Sequence, residues 1–253
     1  MSQTLKTRIA AGEQLVGTFV KTPSAVLCEV LGKTTLDMVC LDAEHAPFDR
    51  LLQDQCLYAL RSEGMSSLVR VPSASHEYIL NALDCGATGV VVPHVTSAEM
   101  AADVAAVSHF GAGGRGYAGS TRAADYTRKP MANHLEDSGR ETVVIAQIED
   151  LEALDEIDAI AAVDGIDCLF VGRVDLTVAL GASSPADPKV IEAVEQVCSA
   201  GRAAGRSVGM FVGDLSEIPH WQQAGANVFL LSSDHSFLMQ GANDLVQKFR
   251  SRS

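Results

Sequence analysis

Lysine, paired cysteine and long apolar runs are all scarce in this sequence, and each scarcity excludes something. The lysines are Lys6, Lys21, Lys33, Lys129, Lys189 and Lys248. An enzyme that works through a Schiff base needs a lysine projecting into its pocket. Only Lys21 stands just after a strand-like run, and the sixth such run leads into Arg173 instead. None of the 6 cysteines forms a C-x-x-C pair, which argues against a structural zinc site or a redox dithiol. Most lie inside apolar runs, where a free thiol behaves as a small hydrophobe. We therefore expect reduced core thiols in a cytoplasmic protein. No apolar run approaches the roughly 18 residues a membrane helix needs, and the opening "MSQTLKTRIAAGEQ" has no apolar core of signal-peptide length. Positive charge is also short: 19 Lys and Arg face 32 Asp and Glu, a formal net charge of −13. Such a surface repels phosphate backbones and anionic membranes, so neither nucleic acid nor membrane is an expected partner.

What is present is a rhythm. Eight β-like runs recur: "LVGTFV", "LDMVCLD", "SSLVRV", "GVVVPHV", "TVVIAQIE", "IDCLFVG", "SVGMFV" and "ANVFLLSS". They are rich in Val, Ile, Leu and Phe without clean alternation, as suits parallel strands buried on both faces. Between them lie helical patterns such as "FDRLLQDQCLYALRSEG", "SAEMAADVAAVSHF", "DLEALDEIDAIAAVDG" and "DPKVIEAVEQVCSAGRAAG". Eight strands alternating with helices predict an α/β fold, a (β/α)8 TIM barrel forming a single domain over residues 1–253. A doubly wound open sheet is the alternative. The segment "FGAGGRGYAGSTRAADYTRKPMANH" breaks the rhythm and reads as a long surface loop. Its "GAGGRG" fits G-x-G-x-x-G literally but follows a helix, which rules against a dinucleotide fingerprint.

Active sites of this fold gather at the C-terminal ends of the strands. There the sequence offers Asp42, Glu44 and His45 in "DAEHAP", Arg70, the "PHV" after strand four, Gln147 and Glu149, and Asp175 in "GRVDL". Gln147 and Glu149 share a face by the two-residue period. Adjacent parallel strands lie about 4.8 Å apart, so Glu149 and Asp175 can reach one ion. Two carboxylates with positions left open suit Mg²⁺ or Mn²⁺; the competing reading is two solvated strand-end acids. Arg70 inside a β run serves either a developing oxyanion or an internal salt bridge. His45 is either a proton shuttle or a helix-cap and backbone partner. Asp84, on pattern alone, is an ordinary helix-surface acid. The loops after strands seven and eight, "VGDLSE" and "SSDHSF", are acidic and disfavour a phosphorylated substrate. The missing H-x-H after the first strand weakens a zinc-hydrolase reading.

"LDAEHAPFD", "LVRVP", "LDCGATGVVVPHV", "GRGYAGSTRAADY", "AQIED" and "FVGRVDLTVALG" together resemble the HpcH/HpaI aldolase family, metal-dependent class II pyruvate aldolases, over almost the whole chain. The resemblance implies reversible aldol cleavage of 4-hydroxy-2-oxo acids to pyruvate, or hydroxypyruvate, and an aldehyde through an enolate. Members that the sequence resembles include the 4-hydroxy-2-oxoheptanedioate, 2-dehydro-3-deoxyglucarate and 2-keto-3-deoxyrhamnonate aldolases. It implies Glu149 and Asp175 as metal ligands for Mg²⁺ or Mn²⁺, with Co²⁺ and Zn²⁺ as further candidates. It implies His45 as acid/base, Asp84 as the acid supporting that histidine, Asp42 in the same cluster, and Arg70 on the keto oxygen. Gln147, Gly172, Val174 and Asp175 match substrate-binding positions. It further implies a hexamer, a trimer of dimers, with the C-terminal helix "LMQGANDLVQKFRS" exchanged between subunits. Arg173 stands where the family usually has proline, Phe19 where it has tryptophan, and His94 where many relatives are apolar. A CoA-thioester lyase of the malyl-CoA or citramalyl-CoA type and a non-catalytic keto-acid-binding barrel remain as alternatives.

Overall fold

The structure, a computed structural model, describes residues 3–252. Eight parallel strands close into a barrel in sequence order: β1 (Leu15–Val20), β2 (Met38–Asp42), β3 (Ser66–Arg70), β4 (Gly89–Val92), β5 (Val143–Ile148), β6 (Cys168–Val171), β7 (Ser207–Val212) and β8 (Val228–Ser233). The open-sheet alternative falls with the pairing of β1 to β8. A short helix α1 (Leu5–Ala10) precedes β1, and Leu5 and Ile9 pack into the apolar interior of the barrel. Helices α2 (Ala25–Gly32), α3 (Arg50–Ser62), α4 (His76–Asp84) and α5 (Ala98–Ser108) follow the first four strands. The long connection carries α6 (Met131–Glu141); α7 (Leu151–Asp155) and α8 (Ile157–Ala161) follow β5; α9 (Arg173–Ala179) and α10 (Pro188–Ala204) follow β6; α11 (Ile218–Ala224) and α12 (Asp234–Arg250) follow β7 and β8.

The two-residue strand period sorts side chains between two cores. Val39, Leu41, Val69, Val90, Val144 and Leu169 point outward beneath the helices. Leu15, Phe19, Met38, Cys40, Leu68, Val91, Ile145, Phe170 and Leu230 fill the interior. Followed toward the C-terminal ends, the inward series changes character: Cys40 gives way to Asp42, Leu68 to Arg70, and Ile145 to Gln147. All three polar residues are buried. Register places Asp42 directly beside Arg70. The apolar series thus ends in one polar layer, which the barrel mouth opens to ligands.

Two departures from the periodic reading have physical causes. The predicted helix over "DLEALDEIDAIAAVDG" breaks at Glu156 (φ −106°, ψ 10°). The break lets its Oε2 accept from Ala98 N at 3.0 Å, satisfying one of the donors that every helix start leaves open. The loop reading of "FGAGGRGYAGSTRAADYTRKPMANH" holds to Pro130, after which α6 begins and buries His134 against the rings of Phe110 (5.1 Å) and Tyr117 (5.7 Å). No helix among the described residues is long and apolar enough to cross a membrane, and all six cysteines are free.

Candidate active site

The cavity at the C-terminal mouth has a volume of about 710 Å³ and is lined from β1, β3, β5, β6, β7 and β8 and the loops beyond them. Its apolar floor is aromatic. Phe19 meets Phe170 edge-on at 6.3 Å and tilts against Phe211 at 6.2 Å.

Arg70 lies over this floor, its guanidinium carbon 4.7 Å from the Phe19 centroid. It is held like a fork: Nε donates to Asp42 Oδ1 at 3.1 Å, Nη2 lies 2.9 Å from Asp42 Oδ2, and Nε lies 3.3 Å from Glu44 Oε2. Lys21 Nζ approaches Asp42 Oδ2 at 3.3 Å, and His45 N donates to Oδ1 at 3.1 Å. Burial works to raise the Asp42 carboxyl, but the paired bonds to Arg70 outweigh it and hold Asp42 below the usual carboxylate range. Asp42 is wholly buried, so its action on a ligand runs through Arg70 rather than by contact.

Beside this pair three ligand-bearing groups converge. One atom each of Glu44, His94 and Glu149 lies within 4.8 Å of the others. Glu149 is buried, its Oε1 accepting from His94 N at 3.0 Å and its Oε2 from the Gln147 amide. His94 adopts a left-handed backbone (φ 54°), and its Nδ1 sits 3.0 Å from Asp150 Oδ2. That contact raises the His94 imidazole above its usual range, with burial opposing. The Asp150 carboxylate fixes the ring, whose Nδ1 also lies 3.4 Å from Glu149 Oε1 and whose Nε2 lies 3.8 Å from Glu44 Oε1. Burial pushes the Glu44 carboxyl up against the pull of Arg70. Gly172 is needed here for space: a Cβ would come within 2.6 Å of both Cβ and Oε2 of Glu149.

This donor set fits a divalent cation. It offers two carboxylates, an imidazole with a carboxylate behind it, and a buried Gln147 Oε1 with no hydrogen-bond partner among the described residues. Asp175, in the first turn of α9, lines the same cavity as Gly172, Val174 and Gln147 but is exposed and stands outside the tight cluster.

His45 is exposed on the cavity wall, its Nε2 3.6 Å from Glu44 Oε2. Asp84 is not brought to it within the chain. Asp84 ends α4, on the way into the N-terminal end of β4, and its carboxylate pairs with Arg115 of the "GAGGRG" segment. Pattern reading named Glu44 and His94 in strand-end motifs but gave neither a role in the site. It also missed what becomes of Arg173. That side chain is buried, pairs through Nη1 with Glu217 Oε2, and stacks 5.3 Å from the Trp221 ring.

The HpcH/HpaI aldolase/citrate lyase family model matches residues 15–240. A hydroxypyruvate/pyruvate aldolase of Paraburkholderia phytofirmans is 31% identical, the match covering 98% of this chain and 97% of that protein. A 4-hydroxy-2-oxovalerate aldolase of Rhodococcus jostii is 33% identical over 96% and 95%. The solved structure of an HpcH/HpaI aldolase/citrate lyase family protein from Burkholderia cenocepacia superposes with a TM-score of 0.92 at 32% identity, over 97% of this chain and 98% of that one. With a matching family model over most of its length and relatives above 30% identity along nearly all of it, the chain belongs to the HpcH/HpaI aldolase/citrate lyase family.

Proposed function

We propose that this chain is a carbon–carbon lyase, a divalent-metal-dependent aldolase that reversibly cleaves 4-hydroxy-2-oxo acids to pyruvate or hydroxypyruvate and an aldehyde. The observation that carries this reading is the convergence of Glu44, His94 and Glu149 beside the Arg70–Asp42 pair, all at the barrel mouth. Relatives named as aldolases for pyruvate, hydroxypyruvate and 4-hydroxy-2-oxovalerate support the substrate class.

Glu149 and Asp175 are the proposed ligands, with Glu44 and His94 completing the set. Mg²⁺ or Mn²⁺ suits the carboxylates, and the imidazole widens the choice to Co²⁺ and Zn²⁺. A bound divalent ion supplies Lewis acidity toward the 2-oxo group. The protein's own groups do the rest. Gln147 and the Gly172–Val174–Asp175 turn orient the keto acid. His45 accepts the C4 hydroxyl proton. The C3–C4 bond then breaks, C4 leaves as the aldehyde, and the bond's electron pair forms the enolate of pyruvate. Arg70, fixed by Asp42, faces the oxygen on which negative charge grows. Return of a proton to C3 gives pyruvate.

An Asp84–His45 partnership requires a second subunit, because α4 separates the two within one chain. Oligomerisation is a natural expectation for the same chain. From His235 to Arg250 every residue of α12 is exposed, among them Phe237, Leu238, Met239, Leu245 and Val246. A last helix lying off its own barrel suits exchange between partners and a hexamer built from dimers. We take the single catalytic domain to span residues 1–253 and, from the free buried thiols, to work in the cytoplasm.

The test is pyruvate release from racemic 4-hydroxy-2-oxo acids by chelator-treated protein, with and without Mn²⁺, beside the Glu149→Gln variant. Wild type should depend on added metal and the variant should lose that response. Full turnover by the metal-stripped protein would overturn the reading.

A further inference from the structure

We infer that the subsite for the departing aldehyde admits uncharged aldehydes and disfavours those carrying a carboxylate, and that Glu217 sets this preference by neutralising Arg173. The inference rests on the aldolase reading above and narrows its second substrate.

The cavity is lined by five side chains that carry or can take positive charge: Lys21, His45, Arg70, Arg173 and His235. Each already faces a carboxylate. Lys21 and Arg70 face Asp42 at 3.3 and 2.9 Å. His45 faces Glu44 at 3.6 Å and His235 faces Asp234 at 3.9 Å. Arg173 pairs with Glu217. One carboxylate of the substrate is accommodated by the proposed metal site, but a second at the aldehyde end finds no uncommitted cation among the described residues. It must stay unpaired within the cavity or displace an existing partner; both cost free energy.

Arg173 is the cation on which this preference turns. It sits next to Gly172 on the cavity wall, buried and stacked on Trp221. Its Nε has no hydrogen-bond partner among the described residues. Glu217 Oε2 also accepts from Trp221 Nε1 at 3.2 Å, so two donors hold one oxygen in place. An incoming carboxylate meets a guanidinium whose charge Glu217, held in place by Trp221, already balances. Substituting Glu217 by Gln removes the charge and keeps an oxygen that can accept from Arg173 and Trp221.

Aldol addition of pyruvate should be measured with two neutral aldehydes, acetaldehyde and glycolaldehyde, and two anionic ones, glyoxylate and succinate semialdehyde, at low and high NaCl. Wild type should favour the neutral pair in kcat/KM. Glu217→Gln should raise the anionic-to-neutral ratio by about tenfold or more, mainly through KM, and added salt should erode the gain. Arg173→Gln, which leaves Glu217 charged, should move the ratio the other way. The double variant should return it to the wild-type value, and thermal melts establish that each variant is folded. Wild-type preference for the anionic aldehydes, or ratios that do not move in opposite directions in the two single variants, overturns the inference. Absence of turnover with every aldehyde, together with no exchange of pyruvate methyl protons into deuterium oxide, overturns the aldolase reading instead.

Discussion

Replacing Arg70 by methionine removes a buried guanidinium and leaves Asp42 fully buried with one cation, Lys21, 3.3 Å away. Deleting one partner of a buried pair costs about 3–5 kcal/mol. Lys21 remains as compensation, so we expect the lower end, about 3 kcal/mol. For a chain of this size each kcal/mol moves Tm by roughly 2–4 °C, which puts the drop at about 6–12 °C. The chemical loss is separate. In the proposed mechanism Arg70, its Nε and Nη2 held by Asp42, faces the oxygen of the forming enolate, and removing one such preorganised donor costs about 10²–10³ in rate. The assay is proton NMR of pyruvate methyl exchange in deuterium oxide, which needs no aldehyde and reports enolate formation alone. A double variant, Asp42→Asn with Arg70→Met, separates the two effects: it should recover much of the Tm, because no charge is stranded, while exchange stays as slow as in the single variant. Wild-type exchange in Arg70→Met would remove Arg70 from the mechanism. An unchanged Tm in that variant would refute the description of Asp42 as dependent on its partner.

Gly172→Ala places a methyl within 2.6 Å of Glu149 Cβ, well inside contact distance and against an atom that cannot swing away. Calorimetric titration with Mn²⁺ should show affinity reduced by about 10–100-fold; unchanged affinity would detach Glu149 from the metal. Acid should destabilise the protein in two stages. Burial, with Lys6 assisting, holds His109 below its ordinary range. The unfolded chain therefore takes up that proton first, and stability falls as pH drops through about 6.5. Asp42, held below its ordinary range despite its burial, contributes stability that is present above about pH 4 and lost as pH falls through its lower folded value. Urea midpoints across pH should show both stages, and His109→Gln should reduce only the first, to which His134, also held low by burial, contributes as well. Truncation before Phe237, which deletes most of α12, should yield smaller particles in light scattering than the full chain; identical masses would end the exchanged-helix proposal.

The sequence by itself determined the barrel. Its strands read as unbroken apolar runs because parallel strands are buried on both faces, and each observed strand falls within the run that announced it. Strand ends also announced Arg70, Gln147 and, one residue past β5, Glu149, since an inward series that turns polar at its end has nowhere to face but the mouth; Asp175, expected at the end of the sixth strand, lies instead exposed in the first turn of α9. Tertiary structure decided the partnerships. Asp42 meets Arg70 through the β2–β3 register, a relation between positions 28 residues apart that no local pattern records. His94 was merely a polar residue after proline until the closed barrel set it between Glu44 and Glu149, loops from three different strands. Asp84 looked like surface on helical periodicity, and the folded chain gives it to Arg115. Arg173 looked like an added cation, and Glu217 from beyond β7 cancels it. Local physics sets which way a side chain faces. The groups that share its charge come from distant segments, so only closure of the barrel, which brings eight strand ends around one cavity, settles what each can do.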